Sequence, residues 1–457
     1  QCLSRKSNSH YRKGLRINMF EGLKVVVGLI SFIMVYRTIT GNCNKYLAFA
    51  ICAIWLRFFL SAFHTITYPS LVAGFSINAL SSISVAGLGL FFLPFAVFTL
   101  RKLLPFYFLF LAIAISGFVN MLIPGTINVL VKWCYFLVLT GAIFLSVRAQ
   151  GHSITLKKLL VCFFMPVAMQ VLSIVLGEVK ATENDGSASY IGGYNHEAAF
   201  SMIIVSFIFV LGLTERHAIR FRTTLFTIAV FLLILVNYRT AVLTILPIAA
   251  IFYYSLVEQR LKPSQKAPVL TVVSMILIFV FVALSFTMRE RFADVGMLAS
   301  NLDLIFKAPA YFTEAEKDIM SSRVYLWSQY IDALTNSDLL QQLLGYGPEA
   351  WNGVFKHYAH NTYVSYFYEY GYIGLFSFLF LCSYSLIITA GVKDKRLSKI
   401  LPLSLMGFLT MNLATMPLWN IEGLIFFAIL IGVSLGNTAP AKARYSFRNQ
   451  LALLTTD

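Results

Sequence analysis

Arg239, Arg323 and His360 are the side chains of this sequence whose types best fit catalysis on an anionic substrate. Arg323 and His360 lie in the polar segment 289–361, between two long hydrophobic blocks, and Arg239 lies in the string VNYRTAV in the preceding block. A guanidinium beside a helix N-terminus forms an anion site, and a histidine suits general-base work near neutral pH. A polar excursion that carries such residues between membrane spans indicates an enzyme rather than a passive pore.

The composition places these residues in a membrane protein. Of 457 residues, 58% are hydrophobic and 12% are charged, and the mean hydropathy is +0.75, whereas a soluble domain has about 25% charged residues. The net charge of +16 is spread over short loops between apolar runs, which indicates membrane topology rather than nucleic-acid binding. The six cysteines lack metal-ligand spacing. We therefore expect an all-α polytopic integral membrane protein without a metal site.

Apolar runs of about 20 residues, the length that crosses a bilayer, predict about 12–14 transmembrane helices. The thirteen runs lie at 20–36, 46–66, 84–100, 105–123, 128–148, 158–177, 197–213, 221–237, 240–257, 268–286, 363–390, 399–416 and 420–436. The continuous stretch 221–256 would form a helix of about 54 Å, too long for one span. It therefore predicts a tight hairpin with Arg239 at the turn.

The expected organisation has five parts. They are a basic N-terminal tail 1–18, ten helices in 19–286, a large periplasmic loop 287–361 with short amphipathic helices, C-terminal helices in 362–437 and a basic cytoplasmic tail 438–457. Met19 is a candidate for the natural start, in which case residues 1–18 are foreign to the protein. Short basic loops stay in the cytoplasm, and those of this chain fall on alternate sides. This alternation puts Arg239, Arg323 and His360 on the outer side of the membrane. A count of thirteen helices also places the basic N-terminus on that side, contrary to the charge pattern of the loops.

Each of the three residues also has a purely structural explanation. Arg239 fits an interfacial arginine that snorkels, Arg323 fits an ion pair with an acid such as Asp318, and a lone interfacial histidine is usually structural. All three residues lie on the same side of the membrane by charge parity, which favours the functional interpretation. We expect Ser321 or Ser322 to cap a short amphipathic helix that begins near Arg323, and Asn361 to cap the next span.

Other polar and aromatic residues are candidates for substrate binding near these three. Tyrosines around 358–370 fit a core, an interfacial belt or a platform for sugar rings. Glu369 lies inside a span and needs a partner, for which Arg57 is the candidate. Asn195 is expected to cap a helix, and the role of His196 stays open. The complete set of substrate-binding candidates is Asn361, Tyr358, Tyr346, Trp327, Glu369, Asn195, His196 and Arg57.

Four strings occur in a characteristic order in the second half of the chain: VNYRTAV, SSRVYLW, LLGYGPEAW and YAHNTYVSYFYEYGYIGL. In order and spacing they resemble the superfamily of O-antigen polymerases and O-antigen ligases, membrane enzymes of bacterial surface polysaccharides. The sequence departs from that pattern at Tyr238, where a serine often precedes the arginine. The first half is similar only in being a series of membrane helices.

The resemblance implies a GT-C-like glycosyltransferase of the bacterial inner membrane, with its active site facing the periplasm. It implies an undecaprenyl-diphosphate-linked glycan as donor, a glycan acceptor, and inverting transfer without a metal ion or other cofactor. By the same resemblance Arg239 and Arg323 hold the diphosphate and His360 serves the acceptor hydroxyl. The implied partners are these substrates, the lipid bilayer and a chain-length regulator, with no nucleic acid.

Two other functions stay open at this point. A ligase, which transfers the polymer to lipid A core, shares these residues with a polymerase, and we prefer the polymerase because GGYNHEAAF and the aromatic outer loop resemble that group more. A flippase or other transporter would use Arg57, Lys132 and Glu369 as midplane charges. The sequence shows no internal repeat, and transport does not explain the large outer segment.

Overall fold

The computed structural model describes residues 2–72, 74–181, 188–215, 217–287, 296–298 and 300–438. In these ranges the chain is almost entirely helical. Its strands form two short antiparallel pairs, Ser70–Val72 with Phe75–Ser76 and Lys180–Ala181 with Ala188–Ser189. The prediction of an all-α polytopic membrane protein is confirmed.

Within the described ranges, nine helices are long and apolar enough to cross a membrane. They are Met19–Thr40, which is part of a longer helix Cys2–Thr40, Lys45–Ala62, Arg101–Val119, Ile123–Gln150, His152–Leu176, Arg239–Glu258, Thr362–Ala390, Leu397–Ala414 and Ile421–Thr438. Three shorter apolar helices and one of 25 residues lie between them: Ile77–Phe92, Glu197–Leu213, Arg222–Leu235 and Pro263–Thr287. Each predicted apolar run falls on one of these helices.

One predicted run, 84–100, is displaced toward the C-terminus. The helix begins at Ile77 because Ser76 accepts a hydrogen bond from the amide of Ala79 and caps it. It ends at Phe92, just before Pro94. The first turns contain Asn and Ser residues, which lower the hydropathy and hide the true start of the helix.

Two helices form the centre of the bundle. The apolar window of Ile421–Thr438 is 94% buried and that of Ile123–Gln150 is 78% buried, so protein rather than lipid surrounds both. A Cβ atom added to Gly432 or Gly436 would lie 2.9 Å from Ile143 or 2.4 Å from Val147. These two glycines therefore allow the helix backbones to approach closely, as small residues do in membrane bundles.

The predicted hairpin at Arg239 is confirmed. Arg222–Leu235 and Arg239–Arg260 are separate helices joined by residues 236–238, with Asn237 at φ +59° in the turn. The rings of Phe226 and Phe252 stack 3.7 Å apart between them.

Short helices occupy the described part of the large loop. They are Glu314–Lys317, Arg323–Thr335 and Leu339–Leu344, with 3₁₀ turns at Leu302–Phe306 and Pro309–Tyr311. The predicted amphipathic helix is confirmed, since Val324, Trp327, Tyr330, Ile331 and Leu334 are its buried apolar residues. The remaining short elements are His64–Thr67, Phe95–Phe98 and the 3₁₀ turns Arg101–Leu103, Leu160–Phe163 and Pro417–Trp419.

Loops contact one another at both ends of the helical bundle, and the two ends differ. At the basic end, Lys158 donates to the carbonyls of Gly41 and Asn42, and Lys102 donates to Thr438. At the opposite end, which we call the cavity end, the large loop folds over the helix termini. There Asn120 donates to the carbonyl of Gly345 at 2.9 Å, and a Cβ atom on Gly125 would lie 2.6 Å from the carbonyl oxygen of Pro348.

Candidate functional site

A cavity of about 690 Å³ opens at the cavity end. Its wall combines the ends of several helices with the loops around residues 70–76, 195–196, 349–358 and 415–420. Four of the predicted site residues line it, namely Arg57, Asn195, His196 and Tyr358. The volume falls in the range of sites for small organic ligands.

Two ion pairs cross the cavity wall. Nε of Arg57 lies 2.8 Å from Oε1 of Glu422, and Nζ of Lys132 lies 3.9 Å from Oε1 of Glu349. The Arg57 and Glu422 side chains are 13% and 2% exposed, so each compensates the charge of the other away from bulk water.

The predicted pairing of Arg57 with Glu369 is wrong. Arg57 instead meets Glu422, because its helix packs near the start of the central helix Ile421–Thr438. Glu369 is buried on the Thr362–Ala390 helix, where it accepts hydrogen bonds from Oγ of Ser365 at 2.9 Å and from the amide of Glu349 at 3.2 Å.

The string GYGPE brings Glu349 to the cavity by docking on a kink in the Thr362–Ala390 helix. Gly371 breaks that helix with φ +64° and ψ −162°. The amides of Tyr346 and Gly347 donate to the carbonyls of residues 368 and 369 at 3.0 and 2.8 Å. A Cβ atom on Gly345 would lie 2.3 Å from the carbonyl carbon of Glu369, so glycine is required for this close approach.

His360 sits beside the cavity in a constrained conformation. Its φ of +50° is rare for a residue other than glycine. Trp327 donates to the carbonyl of Ala359 at 2.8 Å, and the side chain of Asn361 accepts from the amides of residues 363 and 364. The Asn361 cap is thus confirmed. The ring of Tyr358 lies 3.9 Å from the His360 ring and connects it to the cavity wall.

The surroundings of His360 favour its neutral form. Burial, followed by the charges of Arg323, His357 and His196, lowers the pKa of His360 to about 4. The imidazole is therefore unprotonated at neutral pH and has a nitrogen available to accept a proton.

Arg323 is the first residue of the helix Arg323–Thr335, as the sequence predicted. The predicted cap position is confirmed at Ser322, which has φ +63°, but its side chain makes no capping hydrogen bond. Met320 and Ser321 also have positive φ values, so the helix begins after a left-handed turn. Nη1 of Arg323 donates to the carbonyl of Ala414 at 2.8 Å, next to Thr415 of the cavity wall.

Arg239 is exposed at the start of its helix. That helix packs against Leu397–Ala414 so closely that a Cβ atom on Gly407 would lie 2.2 Å from the carbonyl oxygen of Thr244. Arg239 is five residues, or about 7.5 Å of helix, from this contact. Because the helices run in opposite directions, Arg239 and the Ala414 carbonyl that binds Arg323 lie at the same end.

Two of the remaining candidates have structural contacts that the sequence did not indicate. The hydroxyl of Tyr346 donates to the carbonyl of Ala333 at 3.1 Å. The prediction that Asn195 caps a helix is wrong, because Nδ1 of His196 accepts from the amide of Ala198 at 3.1 Å. An imidazole nitrogen can accept a hydrogen bond in the place of a carboxamide oxygen. The backbone carbonyl of Asn195 accepts a hydrogen bond from Nζ of Lys180.

Sequence reasoning did not select Glu349, Glu422 or Trp419 as site residues. Glu422 had a usable signal, since an ionisable residue within an apolar span indicates a functional or paired position. Trp419 lacked one, because a tryptophan at a helix boundary is equally typical of an interfacial belt. Lys132 had appeared only among the charges of the transporter alternative.

Residues 224–379 match a family model described as O-antigen ligase. The matched range contains Arg239, Arg323 and His360, and leaves Arg57, Lys132, Trp419 and Glu422 of the cavity outside. No curated protein gave a match. The matched range and the membrane helices support an enzyme of O-antigen ligase and polymerase type, with the bilayer and lipid-linked glycans as its surroundings and substrates. The similarity of residues 224–379 to this family supports the O-antigen ligase and polymerase superfamily as the one that this part of the chain resembles.

Proposed function

We propose that this protein polymerises undecaprenyl-diphosphate-linked repeat units into a bacterial surface polysaccharide. The reaction is an inverting, metal-independent glycosyl transfer of GT-C type at the periplasmic face of the inner membrane. The observation that supports the proposal is geometric: Tyr358 of the cavity wall lies 3.9 Å from the His360 ring, and Arg323 donates to the Ala414 carbonyl next to Thr415 of the same wall.

In this reaction the acceptor hydroxyl oxygen forms a bond to the anomeric carbon of the donor glycan. The bond between that carbon and the diphosphate oxygen breaks, and its electron pair leaves with undecaprenyl diphosphate. A single displacement of this kind inverts the anomeric centre.

Arg239 and Arg323 are proposed to stabilise the leaving diphosphate. Guanidinium groups present a planar set of donors that matches phosphate oxygens and stay charged at all relevant pH values. Stabilising charge that develops on the leaving group lowers the barrier of the transfer step. Arg323 is held at the helix start by the Ala414 carbonyl, and Arg239 is exposed at the same end of the bundle.

His360 is proposed to take the proton of the acceptor hydroxyl. A general base must be unprotonated before the reaction, and burial together with nearby cations lowers the pKa of His360 to about 4. Hydrogen bonds at Ala359 and Asn361 hold the residues on either side of His360, and the Tyr358 ring lies 3.9 Å from its imidazole.

Transfer of finished polymer to lipid A core is the second candidate, because the matched family model is described as O-antigen ligase. The two reactions share the donor chemistry and differ in the acceptor. The preference for a polymerase rests on the similarity of GGYNHEAAF and the aromatic outer loop to that group.

The test uses a deletion strain of the source bacterium that is complemented with wild type, Arg239→Ala, Arg323→Ala or His360→Ala at equal membrane levels. We expect the variants to lose long surface chains while single repeats remain attached to core. Bare core with polymer on its lipid carrier would assign the ligase reaction instead. Wild-type profiles for all three variants would contradict the catalytic roles. His357→Ala, an exposed neighbour of His360, is the matched control.

A further inference from the structure

The cations of the cavity wall already have carboxylate partners. Among the described lining residues, the lysine and arginine side chains are Arg57 and Lys132, and the carboxylates are Glu349 and Glu422. They form the two ion pairs at 2.8 and 3.9 Å. The wall thus presents balanced charge, in contrast to the surplus of cations that a diphosphate requires.

The rest of the wall is rich in hydroxyl and amide groups. It includes Tyr68, Ser70, Asn128, Asn195, Thr415 and Asn420. Groups of this kind both donate and accept hydrogen bonds. A saccharide, whose hydroxyls also do both, is the ligand that matches such a surface.

Two aromatic rings complete the wall on the side of His360. The rings of Tyr358 and Trp419 lie 5.3 Å apart with an interplanar angle of 38°, and both line the cavity. Nζ of Lys132 lies over one face of the Trp419 ring, 5.6 Å from the ring centre. Aromatic rings supply apolar contact area to the C–H faces of sugars while neighbouring polar groups bind the hydroxyls.

We infer that the cavity is the subsite for the acceptor saccharide, that it takes a neutral, hydroxyl-rich sugar, and that Trp419 is its main stacking residue. The inference rests on the proposed glycosyl transfer and adds to it the location and chemical class of the acceptor. Tyr358 lines the cavity and touches His360, so the terminal hydroxyl of a sugar in the cavity lies toward the base. The lipid diphosphate is then left to bind outside the cavity, toward Arg323, whose guanidinium donates to the Ala414 carbonyl next to Thr415 of the wall.

The charge pairs explain why the cavity excludes the diphosphate. Glu349 and Glu422 would repel a phosphate that approached Lys132 or Arg57, and separating the largely buried Arg57–Glu422 pair would leave an uncompensated charge. A neutral sugar leaves both pairs intact and hydrogen-bonds to the oxygen atoms of the carboxylates.

Binding without turnover tests the inference. The purified full chain in lipid nanodiscs is titrated with repeat-unit oligosaccharides released from the polysaccharide of the source strain, and binding is followed by saturation-transfer NMR. We expect Trp419→Ala to weaken binding about five- to tenfold and Trp419→Phe to stay within about twofold of wild type. Tyr311→Ala, which removes an exposed aromatic ring of the large loop outside the cavity wall, is expected to bind as wild type does. Thermal unfolding of each variant verifies its fold.

Inorganic diphosphate added to the same titration tests the excluded ligand. We expect it to leave oligosaccharide binding unchanged. Competitive displacement by diphosphate, or unweakened binding by Trp419→Ala, would overturn the inference. Failure of the polysaccharide profiles described above would contradict the proposed function instead, and the two failures are separate because this experiment requires no transfer.

Discussion

The two ends of the helical bundle use arginine and lysine in opposite ways. At the basic end, Arg222 donates to the carbonyls of Leu211 and Gly212 at 2.9 and 2.8 Å, and Arg396 donates to Gly212 and Thr214 at 2.7 Å each. These guanidiniums complete the C-terminus of the helix Glu197–Leu213, whose last carbonyls lack partners within the helix.

At the cavity end, the cations surround a space that a ligand can enter. Arg57 and Lys132 pair with carboxylates on its wall, Arg323 donates to the Ala414 carbonyl of a neighbouring helix, and Arg239 is exposed. An arginine inside a membrane protein therefore does not by itself mark a site. The groups that its guanidinium meets decide whether it stabilises the fold or contacts a ligand.

Removal of His360 has the largest expected effect on transfer. His360→Ala should lower the rate by about 10²–10⁴-fold, the contribution typical of a general base. The measurement is glycan transfer by equal amounts of purified protein, with His357→Ala as control. Equal rates for the two variants would exclude His360 as the base.

Arg323→Ala is expected to lower transfer by about 10²–10³-fold, because it removes charge stabilisation from the leaving diphosphate. Arg323→Lys should recover only part of this loss, since an ammonium group lacks the planar donor set. Arg220→Ala at the basic end, also an exposed arginine, should retain the wild-type rate. A similar loss for Arg220→Ala would erase the difference between the two ends.

The acid limit of the reaction distinguishes His360 from an ordinary exposed histidine. The pKa of His360 is lowered to about 4, so its ring stays neutral and active until the pH falls near that value. The transfer rate should therefore decline with a midpoint near pH 4 rather than near the usual histidine value of about 6.5. A rate profile between pH 3.5 and 8, with folding verified at each pH, measures this midpoint.

The lowered pKa of His360 also makes the folding stability depend on pH, and stability falls as the pH falls. Between the usual value of about 6.5 and the lowered value, the unfolded chain binds a proton at His360 and the folded chain does not. The contribution of His360 to stability is therefore complete above about pH 6.5 and is lost as the pH falls toward 4. His360→Gln should remove this part of the pH dependence of thermal unfolding, and an unchanged dependence would contradict the assigned shift.

Much of the fold was predictable because membrane helices leave a strong signal in one dimension. Apolar runs located the spans, and the excessive length of 221–256 predicted the hairpin. The displaced helix Ile77–Phe92 shows the limit, because its start depends on the Ser76 cap and on polar residues that lower the local hydropathy. The amphipathic spacing from Val324 to Leu334 also located a buried helix face correctly.

The site was less predictable because its contacts join distant parts of the chain. Arg57 and Glu422 are 365 residues apart, and local sequence gives no measure of contacts over such a separation, so it cannot distinguish Glu422 from Glu369 as the partner. Local reasoning succeeded for Asn361, whose cap involves residues two and three positions away. For Ser322 it located the cap position but not its geometry, since residues 320–322 have positive φ values and the serine side chain makes no capping hydrogen bond.

The basic end should respond to mutation in stability rather than in catalysis. Arg222 is 7% exposed, and Arg222→Ala leaves the Leu211 and Gly212 carbonyls without those donors. The expected loss is about 1–3 kcal/mol, visible as a lower unfolding temperature in detergent. The rate per folded molecule should match wild type, and a specific loss of rate in the folded fraction would mean that the basic end contributes to transfer.

Tyr346→Phe is the smallest change that separates a substrate contact from a structural one. The Tyr346 hydroxyl donates to the carbonyl of Ala333 and its ring stacks on Tyr368 at 4.9 Å, and the residue is absent from the described cavity wall. Loss of the hydroxyl should therefore lower the unfolding free energy by about 1 kcal/mol, with the substrate KM unchanged. Tyr358→Phe is the comparison within the cavity wall, where the same deletion removes a hydroxyl from the proposed acceptor subsite and should raise the KM for the acceptor. If Tyr346→Phe raised that KM and kept full stability, Tyr346 would belong to the substrate site and the docked GYGP turn would have to open during the reaction.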